Sequence, residues 1–307
     1  MAIKKKLKIG NKIIDNNNPF IIAEIGHNHQ GNTKRAKDLI LAAKNAGASA
    51  VKFQKRNNKT LFTKKFYDSP YENSNSFAKT YGNHRDFLEL SKNQFKELIN
   101  FSKKIKIELF ATPFDIESVK FLESVNVRCY KIASADLRNT ILQREIAKTK
   151  KPIFLSTGGG TLKDVKRAVK NIMSINKNLA ILHCTASYPC KIEDMNLNII
   201  TTYLKQFPKN LIGISDHENG IDAASIAYML GARVFEKHFT LNRGDKGTDN
   251  AFSLEPQGFE KLIRNIKRIP LMMGNKQKKI LESEKEPIRK MSKSIIAKKM
   301  ISKNQII

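Results

Sequence analysis

The sequence predicts an α/β protein of the closed (β/α)8 type, a parallel eight-stranded barrel. Three observations carry this. Eight short apolar runs alternate in strict order with eight amphipathic stretches. The series fills about 250 residues, the length such a barrel requires. No GxGxxG follows the first apolar run, which removes the main support for an open dinucleotide-binding sheet.

In chain order, residues 7–15 read as a hairpin turning at Gly10-Asn11 and suited to plugging the barrel bottom. Strands are expected at 20–24, 50–54, 107–112, 127–133, 152–156, 179–184, 211–215 and 233–238. Helices are expected at 33–46, 92–104, 115–124, 140–148, 161–174, 194–206, 219–230 and 256–273. Thr33, Asp115 and Thr161 read as helix-opening residues, because their side-chain oxygens can accept an otherwise orphaned N–H. The interval 55–92 is rich in Tyr, Asn, Ser and Lys and reads as an extended loop above the catalytic rim. Residues 1–281 would form the barrel domain. Residues 282–293, highly charged and containing Pro287, read as a linker. Residues 294–307 begin an incomplete further domain, with β-segments at 294–297 and 305–307.

Composition narrows the class. Hydrophobic residues make up 40% of the 307, enough for a packed core. Three cysteines cannot build a disulfide framework and fit a reducing, cytoplasmic setting. No run of 18 apolar residues offers a membrane span, and the basic N-terminus lacks a signal-peptide centre. The net charge of +28 raises the question of nucleic acid. Part of it is local: residues 261–307 hold 14 Lys and Arg against 3 Glu. That stretch carries no Phe, Tyr or Trp on which bases could stack, so a solvated lysine-rich surface is the better reading.

Strand alternation identifies the candidate site. In residues 50–54, Val51 and Phe53 suit the helix layer, which turns Lys52 and Gln54 inward. The same parity turns Glu24, Lys131, Ser215, His217, Glu236 and His238 inward. All lie at the C-terminal ends of their strands, where active sites of this fold are built. Lys52 and Lys131, with the hydroxyls of Thr112, Ser134, Ser156 and Ser215, suit an anion bearing phosphate and carboxylate. The backbone of residues 157–160 (TGGG) can add to that cradle. His217 and His238, on adjacent strand ends, suit one shared divalent metal with open positions for water and substrate. Glu24 and Glu236 would then act as acid/base groups or orient a polyol.

At these residues the sequence resembles the sialic acid synthase family. The matching stretches are FIIAEIGHNHQG (20–31), VKFQ (51–54), ATPFD (111–115), KIAS (131–134), STG (156–158), HCT (183–185) with Tyr188-Pro189, ISDH (214–217), FEKHFT (235–240), GTD (247–249) and SLEP (253–256). The resemblance implies a TIM barrel followed by a small antifreeze-like domain. It implies condensation of phosphoenolpyruvate with an N-acylated mannosamine-type sugar, giving a nine-carbon 2-keto acid and inorganic phosphate. By similarity Lys52, Thr112, Lys131, Ser134, Ser156 and Ser215 bind phosphoenolpyruvate. His217 and His238 hold the metal, typically Mn2+, with Mg2+ or Co2+ as alternatives. Glu24, Gln54, Tyr188, Glu236 and Asp249 contact the sugar or its reacting centre. A homodimer is expected from the family.

The sequence departs from the family at Ala186, where Asn is frequent; the neighbouring Ser187 offers a substitute. Residues 293–307 resemble only the first strand of the antifreeze-like domain, so the arginine that this domain brings to the sugar's acyl group has no counterpart here. The sugar is left open between N-acetylmannosamine, its 6-phosphate and a diacetamido-6-deoxy relative. Residues 71–89, with Thr80-Tyr81-Gly82, favour the N-acetylneuraminate branch. Two rival enzymes are a deoxy-sugar-phosphate synthase taking phosphoenolpyruvate and a phosphorylated aldose, and a barrel aldolase using Lys131 or Lys52 as a Schiff-base nucleophile.

Overall fold

A computed structural model describes residues 5–306. Strands β1 (Leu7–Ile9) and β2 (Lys12–Ile14) form an antiparallel hairpin with Leu7 opposite Ile14. The barrel strands are β3 (Phe20–Gly26), β4 (Ala50–Lys55), β5 (Glu108–Pro113), β6 (Tyr130–Ile132), β7 (Ile153–Ser156), β8 (Leu179–Cys184), β9 (Leu211–Asp216) and β10 (Val234–His238). All neighbours are parallel, and β10 closes the ring by pairing with both β9 and β3. The expected (β/α)8 barrel is the observed fold.

Alternation divides the core into two apolar clusters. One lies inside the ring and contains Phe20, Ile22, Ala50, Phe110, Phe154, Leu182 and Val234. Leu7, Ile9 and Ile14 of the hairpin join it, so the hairpin closes the barrel bottom. The larger cluster sits between the strands and the helices and takes the opposite strand faces, including Val51, Phe53, Tyr130, Ile132 and Phe235. Filling both clusters leaves only the C-terminal strand ends for polar side chains.

The helices are α1 (Thr33–Asn45), α2 (Asn58–Leu61), α3 (Lys64–Tyr67), α4 (Tyr81–Leu88), α5 (Lys92–Lys104), α6 (Ile116–Ser124), α7 (Thr140–Lys148), α8 (Leu162–Met173), α9 (Ile199–Gln206), α10 (Asp222–Met229), α11 (Pro256–Met273) and α12 (Glu282–Met291). Asp115 and Thr161 cap their helices, through Ser118 N–H and Asp164 N–H. Thr33 does not cap α1. Asn32 does, accepting from Arg35 N–H at 3.0 Å, because its backbone is the one in the extended conformation that a cap requires.

Three further expectations are corrected. The interval 55–92 is no extended loop: it contains α2, α3 and α4, joined by packing among Tyr71, Tyr81, His84 and Phe77. The segment read as a linker at 282–293 is largely the helix α12. Its acidic first turn (Glu282, Glu284) and basic last turn (Arg289, Lys290) complement the helix dipole, and Pro287 does not end it. Residues 294–306, where β-segments were expected, form no strand, and Ile307 lies outside the described residues. By their contacts the residues fall into two compact units, divided between Ile269 and Pro270. No described helix is long and apolar enough to cross a membrane.

Candidate active site

Thirteen of the residues singled out from the sequence line one cavity of about 670 Å³ at the C-terminal rim of the barrel, and Gly158 and Gly159 join them, whereas Ser187, Thr157 and Gly160 do not line it. The thirteen are Glu24, Lys52, Gln54, Thr112, Lys131, Ser134, Ser156, Tyr188, Ser215, His217, Glu236, His238 and Asp249.

At its base two ammoniums interlock with two carboxylates. Lys52 Nζ, on β4, lies 2.8 Å from Glu24 Oε2 on β3 and 3.7 Å from Glu236 Oε1 on β10. Lys131 Nζ, on β6, lies 2.5 Å from the same Glu236 oxygen, which also accepts from Ser215 Oγ at 2.9 Å. Lys52 donates to Thr112 Oγ1 at 3.0 Å, and Gln54 Nε2 to Glu24 Oε1 at 2.9 Å. All four charged groups are buried, a cost that pairing offsets.

The two carboxylates are set apart. Burial raises the Glu24 carboxyl above its ordinary value, more than Lys52 lowers it. Burial acts on Glu236 as well, but there Lys131 and Lys52 outweigh it and hold the group down to about 2. Glu236 is thus a fixed anion, whereas Glu24 can exchange a proton nearer neutrality. Lys131 is held below its ordinary value by burial, only partly offset by Glu236.

Two glycines let the backbone approach. At Gly26 the β3–β4 register shifts and φ is +52°; a Cβ there would stand 3.2 Å from Asp249 Oδ2 and 3.3 Å from Gln54 Nε2. Gly158 N–H donates to Ser134 Oγ at 3.0 Å, and a Cβ would press to 2.8 Å from that oxygen. The buried Ser156 Oγ has no hydrogen-bond partner among the described residues, which leaves it available to a ligand.

The imidazoles of His217 and His238 have ring centroids 5.4 Å apart. Burial lowers both to about 4, so both are neutral at pH 7. His217 Nδ1 lies 2.9 Å from the Thr185 carbonyl, a contact that requires Nδ1–H and leaves Nε2 a lone pair. His238 Nδ1 is buried without a hydrogen-bond partner among the described residues, 3.8 Å from Asp249 Oδ2. Two neutral imidazoles at this spacing are the residues that could hold a divalent cation, with positions left for substrate oxygens. No group of three or more His, Cys, Asp or Glu forms a fuller metal cage among the described residues. Tyr188 packs on His217, with centroids 4.2 Å apart, and Phe252 on His238 at 4.9 Å.

The cavity also holds residues that the sequence reading missed: His27, Arg56, Arg85, Phe114 and Arg138 among them. Arg56 continues the inward parity of Ala50, Lys52 and Gln54 one residue past the end of β4. Arg85 sits on α4, inside the interval read as a loop, and no periodicity marks it.

The chain matches the NeuB family model over residues 39–278. It is 39% identical over 279 residues to N-acetylneuraminate-9-phosphate synthase of Mus musculus, covering 91% of this chain and 78% of that protein. It is 39% identical over 297 residues to N,N'-diacetyllegionaminic acid synthase of Campylobacter jejuni, covering 94% and 87%. Among solved structures it is similar to the N-acetylneuraminic acid (sialic acid) synthetase of Leptospira borgpetersenii in complex with citrate. There the TM-score is 0.80 at 32% identity, covering 93% of this chain and 96% of that one.

Proposed function

The chain belongs to the NeuB family of synthases, and on that premise we propose that it condenses phosphoenolpyruvate with an N-acylated hexosamine to give a nonulosonic acid and inorganic phosphate. One observation carries the reading: two lysines and two glutamates interlock at the base of a cavity that also holds two neutral imidazoles. Lys52 and Lys131 hold the phosphate and carboxylate of phosphoenolpyruvate, with Thr112, Ser134, Ser156 and Ser215 as directed donors. Gln54, Tyr188 and Asp249 orient the open-chain sugar.

The chemistry follows from where charge develops. C3 of the enol phosphate forms a bond to the sugar's aldehyde carbon as the carbonyl π bond breaks; the aldehyde oxygen takes up a proton to become a hydroxyl, balancing the one later removed from water, and C2 becomes cationic. Glu24, ionised, takes a proton from the water that adds at C2. The resulting tetrahedral centre collapses to a ketone as its C–O bond to phosphate breaks, and the lysines stabilise the departing charge. Glu236 remains an anion throughout and fixes both ammoniums. His217 and His238 would hold a divalent cation, Mn2+ foremost, which when bound supplies Lewis-acid polarisation of the aldehyde oxygen. The active species is proposed to be a homodimer, as expected from the family.

The test is phosphate release from phosphoenolpyruvate across a panel of aldoses, run in H2(18)O. The expected result places solvent oxygen in the keto acid and none in the phosphate. Label in the phosphate would mean P–O cleavage and overturn the mechanism. A borohydride-trapped pyruvate adduct, insensitive to chelator, would replace it by a Schiff-base aldolase.

A further inference from the structure

Two guanidiniums converge on one imidazole at the cavity wall. Arg56 Nη1 lies 3.1 Å from His27 Nε2, and Arg85 Nη1 lies 3.3 Å from His27 Nδ1. An arginine nitrogen can only donate, and a neutral imidazole can accept at one nitrogen only. One of the two arginines therefore faces a nitrogen that cannot receive its proton. Protonating His27 would remove even the single acceptor, and burial together with both arginines opposes that protonation.

Carboxylates offset the two charges only in part: Glu89 and Asp249 favour the charged form of Arg56, but burial and Arg85 outweigh them. Glu89 accepts from Lys55 Nζ at 2.5 Å and from the Arg56 backbone N–H at 3.2 Å, and stands 3.9 Å from His27. Asp249 is turned to Thr248 and His238. Neither guanidinium makes an ion pair among the described residues. Arg56 is buried, a costly place for a charge without a direct ion pair.

Both groups are nonetheless held in place. Arg56 stacks on Phe114, 3.7 Å from the ring centroid, and donates to Gln54 Oε1 at 2.7 Å. Arg85 lies over Tyr81 at 5.1 Å and donates from Nε to its hydroxyl at 3.0 Å. Both line the same cavity as Lys52 and Lys131, and among the described residues their remaining side-chain N–H groups have no hydrogen-bond acceptor. Fixed planar donors with surplus charge suit a bidentate oxyanion.

We propose that Arg56 and Arg85, converging on His27, form a second anion seat in the cavity, which binds a phosphate monoester on the acceptor sugar. This rests on the condensation proposed above. The lysines and hydroxyls at the base take the anions of phosphoenolpyruvate, and the arginine seat takes the far end of the sugar. The acceptor is accordingly a phosphorylated hexosamine.

The experiment measures phosphate release from phosphoenolpyruvate by the full chain. The acceptors are N-acetylmannosamine, its 6-phosphate and a 2,4-diacetamido-6-deoxyhexose, which has no oxygen at C6 to phosphorylate. The 6-phosphate is expected to exceed both others in kcat/KM by at least about tenfold. Arg85→Gln is expected to bring that preference toward parity, through the KM for the phosphosugar, and Arg85→Lys to restore it in part. Equal or better use of either unphosphorylated sugar overturns the seat and leaves the condensation standing. So does an Arg85→Gln effect confined to the KM for phosphoenolpyruvate. No phosphate release with any of the three overturns the condensation itself, and the seat with it.

Discussion

The ammonium of Lys237 lies 2.7 Å from the carboxylate of Asp216, and both side chains are almost wholly buried. Lys237 stands between Glu236 and His238 on β10 but points to the opposite face, into the helix layer. It also donates to the Glu218 carbonyl, while Asp216 Oδ1 accepts from Glu218 N–H at 2.9 Å. One side chain from the strand of His238 thus grips the residues on either side of His217. The clamp ties the backbone on either side of His217 to the strand that carries His238.

Lys237→Met leaves Asp216 buried and unpaired, a change that costs about 3–5 kcal/mol. A lower urea midpoint and a weaker affinity for Mn2+, read by electron paramagnetic resonance, are expected together. Lys237→Met with Asp216→Leu should recover much of the stability, because no orphan charge remains, but little of the turnover. Full recovery of both would show that the pair serves folding alone.

Glu24→Gln keeps the shape of the carboxyl and removes its capacity to take a proton. Turnover is expected to fall by at least about 100-fold with the fold intact. The native rate should drop as the pH falls through the raised value of Glu24, since the protonated acid cannot serve as base. This acid limb should be missing from the residual activity of the variant. An unchanged limb would transfer it to another group.

His217→Ala removes one of the two imidazole donors. Its turnover is expected to fall at least about 100-fold, and a chelator that inhibits the native enzyme should have little further effect. Near-native turnover by metal-stripped His217→Ala would defeat the cation assignment.

How far this site could be read before folding depends on the kind of order involved. Lys52, Lys131, Glu236 and His238 were legible because strand alternation is local, and a two-residue period assigns each a face without knowledge of its neighbours. Arg56 carries the same parity, but it stands one residue past the end of β4, where strand alternation no longer assigns a face. Arg85 was not legible. The helix that presents it is short and is held by Tyr71, Tyr81, His84 and Phe77, contacts that exist only in the folded chain. The choice between Asn32 and Thr33 as a cap turned on backbone angles, since both side chains can accept. The segment read as a linker failed differently: its charges, which suggested solvation, are ordered along α12 in the sense that a helix favours.

Acid should destabilise this protein well above the range in which carboxylates titrate. His29 Nδ1 accepts from Gly31 N–H at 3.1 Å, and His84 Nδ1 accepts from Phe77 N–H at 3.1 Å. Protonation would turn each acceptor into a donor facing a donor. Burial lowers His29 to about 3, with His27 adding to it, and lowers His84 to about 4, with Arg85 adding. Both folded values lie below the unfolded value of about 6.5, so the unfolded chain binds more protons between them. The stability these groups contribute is therefore fully present above about pH 6.5 and declines as the pH falls toward 4 and below. For the buried His29 the slope approaches about 1.4 kcal/mol per pH unit. The urea midpoint is expected to fall from pH 7.5 to pH 5.5, and less steeply in His84→Asn, whose amide oxygen can accept without titrating. Equal midpoints at the two pH values would mean that both imidazoles are already charged in the folded chain.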